Sequence, residues 1–276
     1  MAYKKDVFVF PLSIEYEIKW EGNYGAKGEK RAKKKKPTPA QIKRQNQWNR
    51  EKYMRRKIKA NFAPPDLWCT LQYKRGVRKS LEEVLADIDK LKDGMRYRYK
   101  KLGIPFKWVL RVEVGKRGGI HAHILVNRIA DTDIYLKMYW PHGEINFKSI
   151  YREGGYKKLA EYIVKEPEDE EYVKQLSLFS EEEQKVLRRY SCSRNLIIPE
   201  PEHHPYKNRT LRPIMENGIK PTKGYYIVQD SIHFGTNPFT GMSYLHYTEN
   251  KAETREEKEI MDKPVKIPWK LKEGIP

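Results

Sequence analysis

The stretch RVEVGKRGGIHAHILVNR, residues 111–128, decides how this chain folds. Two runs of strand-forming residues flank GKRGG, a glycine-rich break short enough for a hairpin. If Val114 lies opposite Ile120, as a tight turn favours, Glu113 falls opposite His121 and Arg111 opposite His123. Side chains alternate along a strand, so Trp108, Leu110, Val112, Val114, Ile120, Ala122, Ile124 and Val126 share one face. That face is apolar throughout and calls for helices over it. The other face presents Arg111, Glu113, His121 and His123. A slip by one residue would bury these polar groups, so the pattern itself enforces the register.

Two imidazoles and a carboxylate on one sheet face make a three-ligand set with open positions. Such a set suits a catalytic divalent ion, Mg²⁺ or Mn²⁺, and accepts Zn²⁺ or Co²⁺. An H-x-H alone is weak evidence; the glutamate across the strand pair strengthens it.

Upstream, Ile14, Tyr16, Ile18 and Trp20 alternate with Glu15, Glu17 and Lys19, which predicts a strand with one wet face. Between Lys27 and Lys59 stand 15 Lys or Arg against 2 Glu. TPAQ, 38–41, is a capping box with proline at the first helical position, so a long basic helix is expected from Pro39 to about Ala60. LWCTLQY, 67–73, reads as a strand with Trp68, Thr70 and Gln72 on one face. SLEE, 80–83, caps a helix to about Leu102. Further elements are a short helix over 133–138, a strand over 144–150, a helix over 154–166, an acidic loop EPEDEE at 166–171, and a helix capped by SEEE at 180–183. The C-terminal part carries one hairpin, YYIVQDSIHF and MSYLHYT around GTNPFTG. The expected organisation is an N-terminal strand and basic helical arm (1–60), a core (61–200) and a C-terminal extension (201–276). No repeat is present.

The chain has 276 residues and a formal net charge of +19. Such a surplus favours polyanionic partners, nucleic acid first among them. The 19 tyrosines suit single strands, where bases stack and phosphates need cations. Lys33, Lys34, Lys35, Lys36, Arg55 and Arg56 are the expected phosphate contacts, with Arg111, Thr70 and Gln72 near the His/Glu face. Cys69 and Cys192 form no CxxC or zinc spacing, which fits a reduced, cytoplasmic protein. No apolar run reaches the length of a signal h-region or a membrane span.

A nucleophile is the remaining need, and no serine or cysteine stands beside a base. On the helix KKLAEYIVKE, Tyr156, Leu159 and Ile163 form the apolar stripe, and Tyr162 sits about 100° from Ile163 at its border. Lys165 lies three residues on, on the same side. A border tyrosine with a cation beside it can attack phosphorus.

Together, GGIHAHILV with the upstream Glu113, YIVK on a following helix, and LWCTLQY before them resemble the HUH endonucleases. The likeness is greatest to single-tyrosine rolling-circle replication initiators of plasmids, integrative elements and small phages, and it covers roughly 60–200. The resemblance implies an α+β fold, a ferredoxin-like antiparallel sheet with helices on one face. It also implies Tyr162 as nucleophile aided by Lys165, Glu113, His121 and His123 on Mn²⁺ or Mg²⁺, a single-stranded or hairpin origin as substrate, and the host replication machinery as partner. A relaxase, a transposase and a non-catalytic DNA-binding protein stand as alternatives. A relaxase generally carries its tyrosine before the histidines, whereas Tyr162 follows His123. The sequence leaves the oligomeric state and the origin open.

Overall fold

The structure, a computed structural model, describes residues 3–21, 37–150, 156–166, 170–237 and 242–267. The fold is α+β, with two antiparallel sheets and several helices. The chain divides into two compact units, one formed by 1–49 with 199–276 and the other by 50–198.

The first unit begins with β1 (Tyr3–Val9) and β2 (Ser13–Trp20), a hairpin closed by the Phe10 amide donating to the Ser13 carbonyl at 2.8 Å. The long helix α1 (Pro39–Asn61) opens with the expected box, in which the Gln41 amide donates to Thr38 Oγ1 (3.2 Å) and the Thr38 amide to Gln41 Oε1 (2.9 Å). The division between the units falls within this helix.

The second unit carries β3 (Leu67–Leu71), α2 (Leu81–Lys101), β4 (Trp108–Val114), β5 (Ile120–Val126), α3 (Thr132–Tyr139), β6 (Ile145–Ser149), α4 (Lys157–Val164), α5 (Glu170–Leu176), α6 (Glu181–Arg188) and β7 (Tyr190–Cys192). Its strands run in the order β6-β3-β5-β4-β7, all antiparallel. The pairing of β4 with β5 is the one expected, Glu113 opposite His121 and Arg111 opposite His123. Leu110, Val112, Ile124 and Val126 pack against Val84, Ile88, Leu91 and Met95 of α2 and Leu136 of α3.

The expectation of helices on one face is corrected. The other face is also covered at one end, where Met54 and Ile58 of α1 and Ala160, Ile163 and Val164 of α4 pack on Val109 and Leu125. Two apolar positions on the polar face, Val109 and Leu125, made that second layer possible. α4 is also shorter than expected. Tyr156 precedes it at φ 63° and is buried, while Leu159 is only partly buried, so the apolar stripe is Ala160, Ile163 and Val164. Glu170, expected in the acidic loop, opens α5 instead.

The rest of the chain returns to the first unit as β8 (Glu202–Pro205), α7 (Arg212–Asn217), β9 (Tyr225–Ile227), β10 (His233–Thr236), β11 (Ser243–Lys251) and α8 (Arg255–Ile260). The expected hairpin is β10 with β11, and a 3-10 turn at Gln229–Ser231 separates β9 from it. The sheet order is β10-β11-β2-β1-β8, with β9 also pairing with β11. Strands from both ends of the chain therefore share one sheet. Its core holds Ile14, Tyr16, Ile18, Ile227, Leu245 and Tyr247, with Tyr16 and Tyr247 stacked at 4.7 Å. The wet face expected for β2 is not wet: Glu15 and Glu17 are 2% and 4% exposed. Buried Asp6 on the neighbouring strand shows how such a face is neutralised, by Lys19 at 2.8 Å and His203 at 2.7 Å.

Candidate active site

His121 and His123 stand on β5, the middle strand of the five, and Glu113 on its neighbour β4. Their ligand atoms lie within 4.8 Å of one another, the one such group among the described residues. Glu113 Oε2 is 3.9 Å from His121 Nε2 and 3.5 Å from His123 Nε2. Two nitrogens and an oxygen converging in this way fit a divalent cation.

Tyr162 reaches the same point from α4. Its hydroxyl donates to Glu113 Oε2 at 2.6 Å and lies 2.7 Å from His123 Nε2. With its one proton given to the carboxylate, the phenol oxygen accepts from the imidazole. The helix holds the tyrosine there because Ile163 and Val164 beside it are buried in the apolar layer. Lys165 lies just past the last turn of α4; its Nζ is 3.2 Å from Glu113 Oε1 and 4.2 Å from the centre of the Tyr162 ring.

The charges in this cluster oppose one another. Burial alone raises the Glu113 carboxyl, but hydrogen bonds from His123 and Tyr162 and the charges of Lys165 and Arg111 outweigh it and hold the group far below the usual carboxylate range. Burial lowers His121, aided by the nearby His123, which favours the neutral imidazole that a cation needs. Burial and the facing Glu113 carboxylate raise Tyr162 well above an ordinary phenol, so its proton is firmly held.

Arg111 is expected from the sequence to touch DNA, and here the structure corrects that reading. The residue is 1% exposed. Its Nε donates to Glu113 Oε1 at 2.7 Å, Nη1 to the Ile163 carbonyl at 2.5 Å and Nη2 to the Lys165 carbonyl at 3.0 Å. It therefore closes the C-terminal end of α4 and ties that helix to the carboxylate. Arg56 is likewise buried, because the second half of α1 turns Met54 and Ile58 onto the sheet, while Arg55 is half-buried. Thr70 sits beside the site, its Oγ1 3.1 Å from His123 Nδ1, and Gln72 is exposed on the same strand face. Lys33, Lys34, Lys35 and Lys36 lie outside the described residues.

One residue escapes the sequence reading. The Trp68 indole stacks on the His123 ring at 5.5 Å and 5° and meets the Tyr162 ring edge-on at 5.9 Å. Its alternation with Thr70 is the available signal. Trp68 and Thr70 together fix the ring that Tyr162 contacts.

Residues 66–167, which span β3 through α4 and contain the whole cluster, match the family model of the replication-associated protein ORF2. This match supports a replication initiator. No curated protein and no solved structure matches the chain. Among the described residues no helix is long and apolar enough to cross a membrane.

Proposed function

We propose that this protein is a single-tyrosine HUH endonuclease that nicks and rejoins single-stranded origin DNA to start rolling-circle replication. The observation that carries the reading is the Tyr162 hydroxyl held between Glu113 Oε2 and His123 Nε2. The five-stranded antiparallel sheet supports the ferredoxin-like arrangement of that class, and the replication-associated match supports the biological setting.

Glu113, His121 and His123 would hold the cation, Mg²⁺ or Mn²⁺. When bound, it supplies positive charge against the scissile phosphate and lowers the cost of the phenolate. Tyr162 then loses its proton and attacks phosphorus. The tyrosine–phosphate bond forms as the bond to O3′ breaks, and O3′ takes up a proton to leave a free 3′-OH. The 5′ phosphate stays on the enzyme, so the reverse step rejoins the strand without an external energy source. Lys165 places a cation beside both the nucleophile and Glu113. Arg111 keeps α4, and so Tyr162, in register with Glu113. Thr70, Gln72 and the lysines at 33–36 are left to meet the DNA.

The test is to incubate the protein with single-stranded DNA and Mn²⁺, resolve covalent adducts under denaturing conditions and map the linked peptide. An adduct on Tyr162 is expected. A linked peptide elsewhere, or a product with no protein attached, would overturn the mechanism.

A further inference from the structure

Away from Tyr162, a groove of about 890 Å³ opens between the last turns of α2, residues 103–107 and residues 192–195. Phe106, Ile104 and Trp108 give it an apolar and partly aromatic lining; Arg96, Lys100 and Arg194, all exposed, stand around it. Among the described residues, no carboxylate lines it. Lys92 Nζ adds a further cation 4.7 Å from the centre of the Trp108 ring.

The walls are fixed by backbone pairing. The Trp108 amide donates to Ser193 Oγ (3.1 Å), the Ser193 amide to the Trp108 carbonyl (2.9 Å), and Asn195 Nδ2 to the Phe106 carbonyl (3.1 Å). Arg96 and Lys100 are one helical turn apart, about 6 Å along α2. The volume is that of a drug-sized ligand site, room enough for a nucleotide.

We propose that this groove is a second binding site for single-stranded DNA, in which a base rests on the Trp108–Phe106 floor and neighbouring phosphates meet Arg96, Lys100 and Arg194. The proposal rests on the nickase reading and deepens it by giving the strand an anchor remote from the reaction. An aromatic floor ringed by cations without carboxylates is the combination that single strands select. The net charge of +19 points to the same polyanion. Trp108 is five residues from Glu113 along β4, roughly 17 Å, and its side chain belongs to the opposite face of the sheet. A stacked strand needs about five nucleotides to cover that distance. The site should therefore serve long strands and not short ones.

The experiment compares oligothymidines of about 20 and about 6 nucleotides on the full-length protein and on the triple variant Arg96→Ala/Lys100→Ala/Arg194→Ala. All three side chains are exposed, and an unchanged melting curve checks the fold. By anisotropy, the variant should bind the long strand about tenfold more weakly, with a salt slope reduced by about 2, while binding of the short strand stays unchanged. Photo-crosslinking with iodouracil placed along the long strand should label peptides containing 104–108 or 192–195. Wild-type binding of the long strand by the triple variant, or crosslinks confined to the Tyr162 region, would overturn the groove and leave the nickase reading intact. A wild-type protein that binds neither strand would overturn both. A glutamate-rich peptide that binds wild type and is lost in the variant, with strand binding unaffected, would make the occupant a protein and overturn the proposal.

Discussion

Tyr162 and Tyr156 differ in what surrounds their hydroxyls. Tyr156 is 7% exposed and belongs to the apolar layer, whereas Tyr162 reaches Glu113 and His123. Tyr162→Phe should fold and bind single strands but form no adduct, and Tyr156→Phe should keep adduct formation within a few-fold; gel-resolved adducts distinguish them. Arg111→Ala removes the partner of a buried carboxylate and of two carbonyls. It should lower stability by about 3–5 kcal/mol in denaturant titration, with little loss of DNA affinity if the protein is assayed folded. A third test lies in the other unit, where Glu249 is 1% exposed and burial raises its carboxyl, against hydrogen bonds from the Thr222 amide and Tyr16. A carboxyl raised in the folded state contributes stability that is full below its unfolded value and is lost as pH climbs through the folded one. Glu249→Gln should therefore match wild type at low pH and exceed it near neutrality, as paired melting curves across pH would reveal. Alternation makes the faces of Glu113, His121, His123 and Arg111 legible, but not what covers each face. That is why Arg111 reads as open to DNA in the sequence, and why Glu15 and Glu17 read as wet.

Among elements, the most legible are those with their own end signals. Ser80–Glu83 and Ser180–Glu183 form reciprocal capping boxes where α2 and α6 start. The hairpin of β4 and β5 is fixed by a pattern that tolerates no slip. β7 is illegible because three residues, Tyr190–Cys192, carry too little periodicity, and they become a strand only by pairing with Val109–Arg111. α5 is hidden by acidic residues that read as loop although acids favour a helix's first turn. The contact between α2 and α3 gives a sharper test. Gly94 sits within α2, where glycine costs about 1 kcal/mol relative to alanine. A Cβ there would come within 2.4–2.6 Å of the Tyr139 ring, whose hydroxyl accepts from Arg98 Nε at 3.0 Å. Gly94→Ala should therefore destabilise by about 1–3 kcal/mol, against its helix propensity. A rise in melting temperature would show that α3 yields freely.

For the molecule as a whole, charge is the property most plainly carried by composition, and its use is testable without knowing the origin. Replacing Lys33, Lys34, Lys35 and Lys36 by glutamine should flatten the salt dependence of single-strand binding by up to about 3 in slope while leaving melting unchanged. An unaltered slope would assign that cluster to something other than phosphate. What the sequence does not disclose is the way its two ends cooperate. Periodicity marks a strand but not its partner, and Ile18 pairs with Leu245 across nearly the whole chain. This pairing imposes an order on synthesis. At roughly 5–20 residues per second, β2 leaves the ribosome some 10–45 seconds before the strand that completes its sheet. Residues 50–198, contiguous and carrying their own core, are all made within that interval. The unit bearing Tyr162 can thus mature while the first hairpin waits with its edge open, and a chain cut short in its last quarter would emerge with the chemistry assembled and a sticky strand exposed.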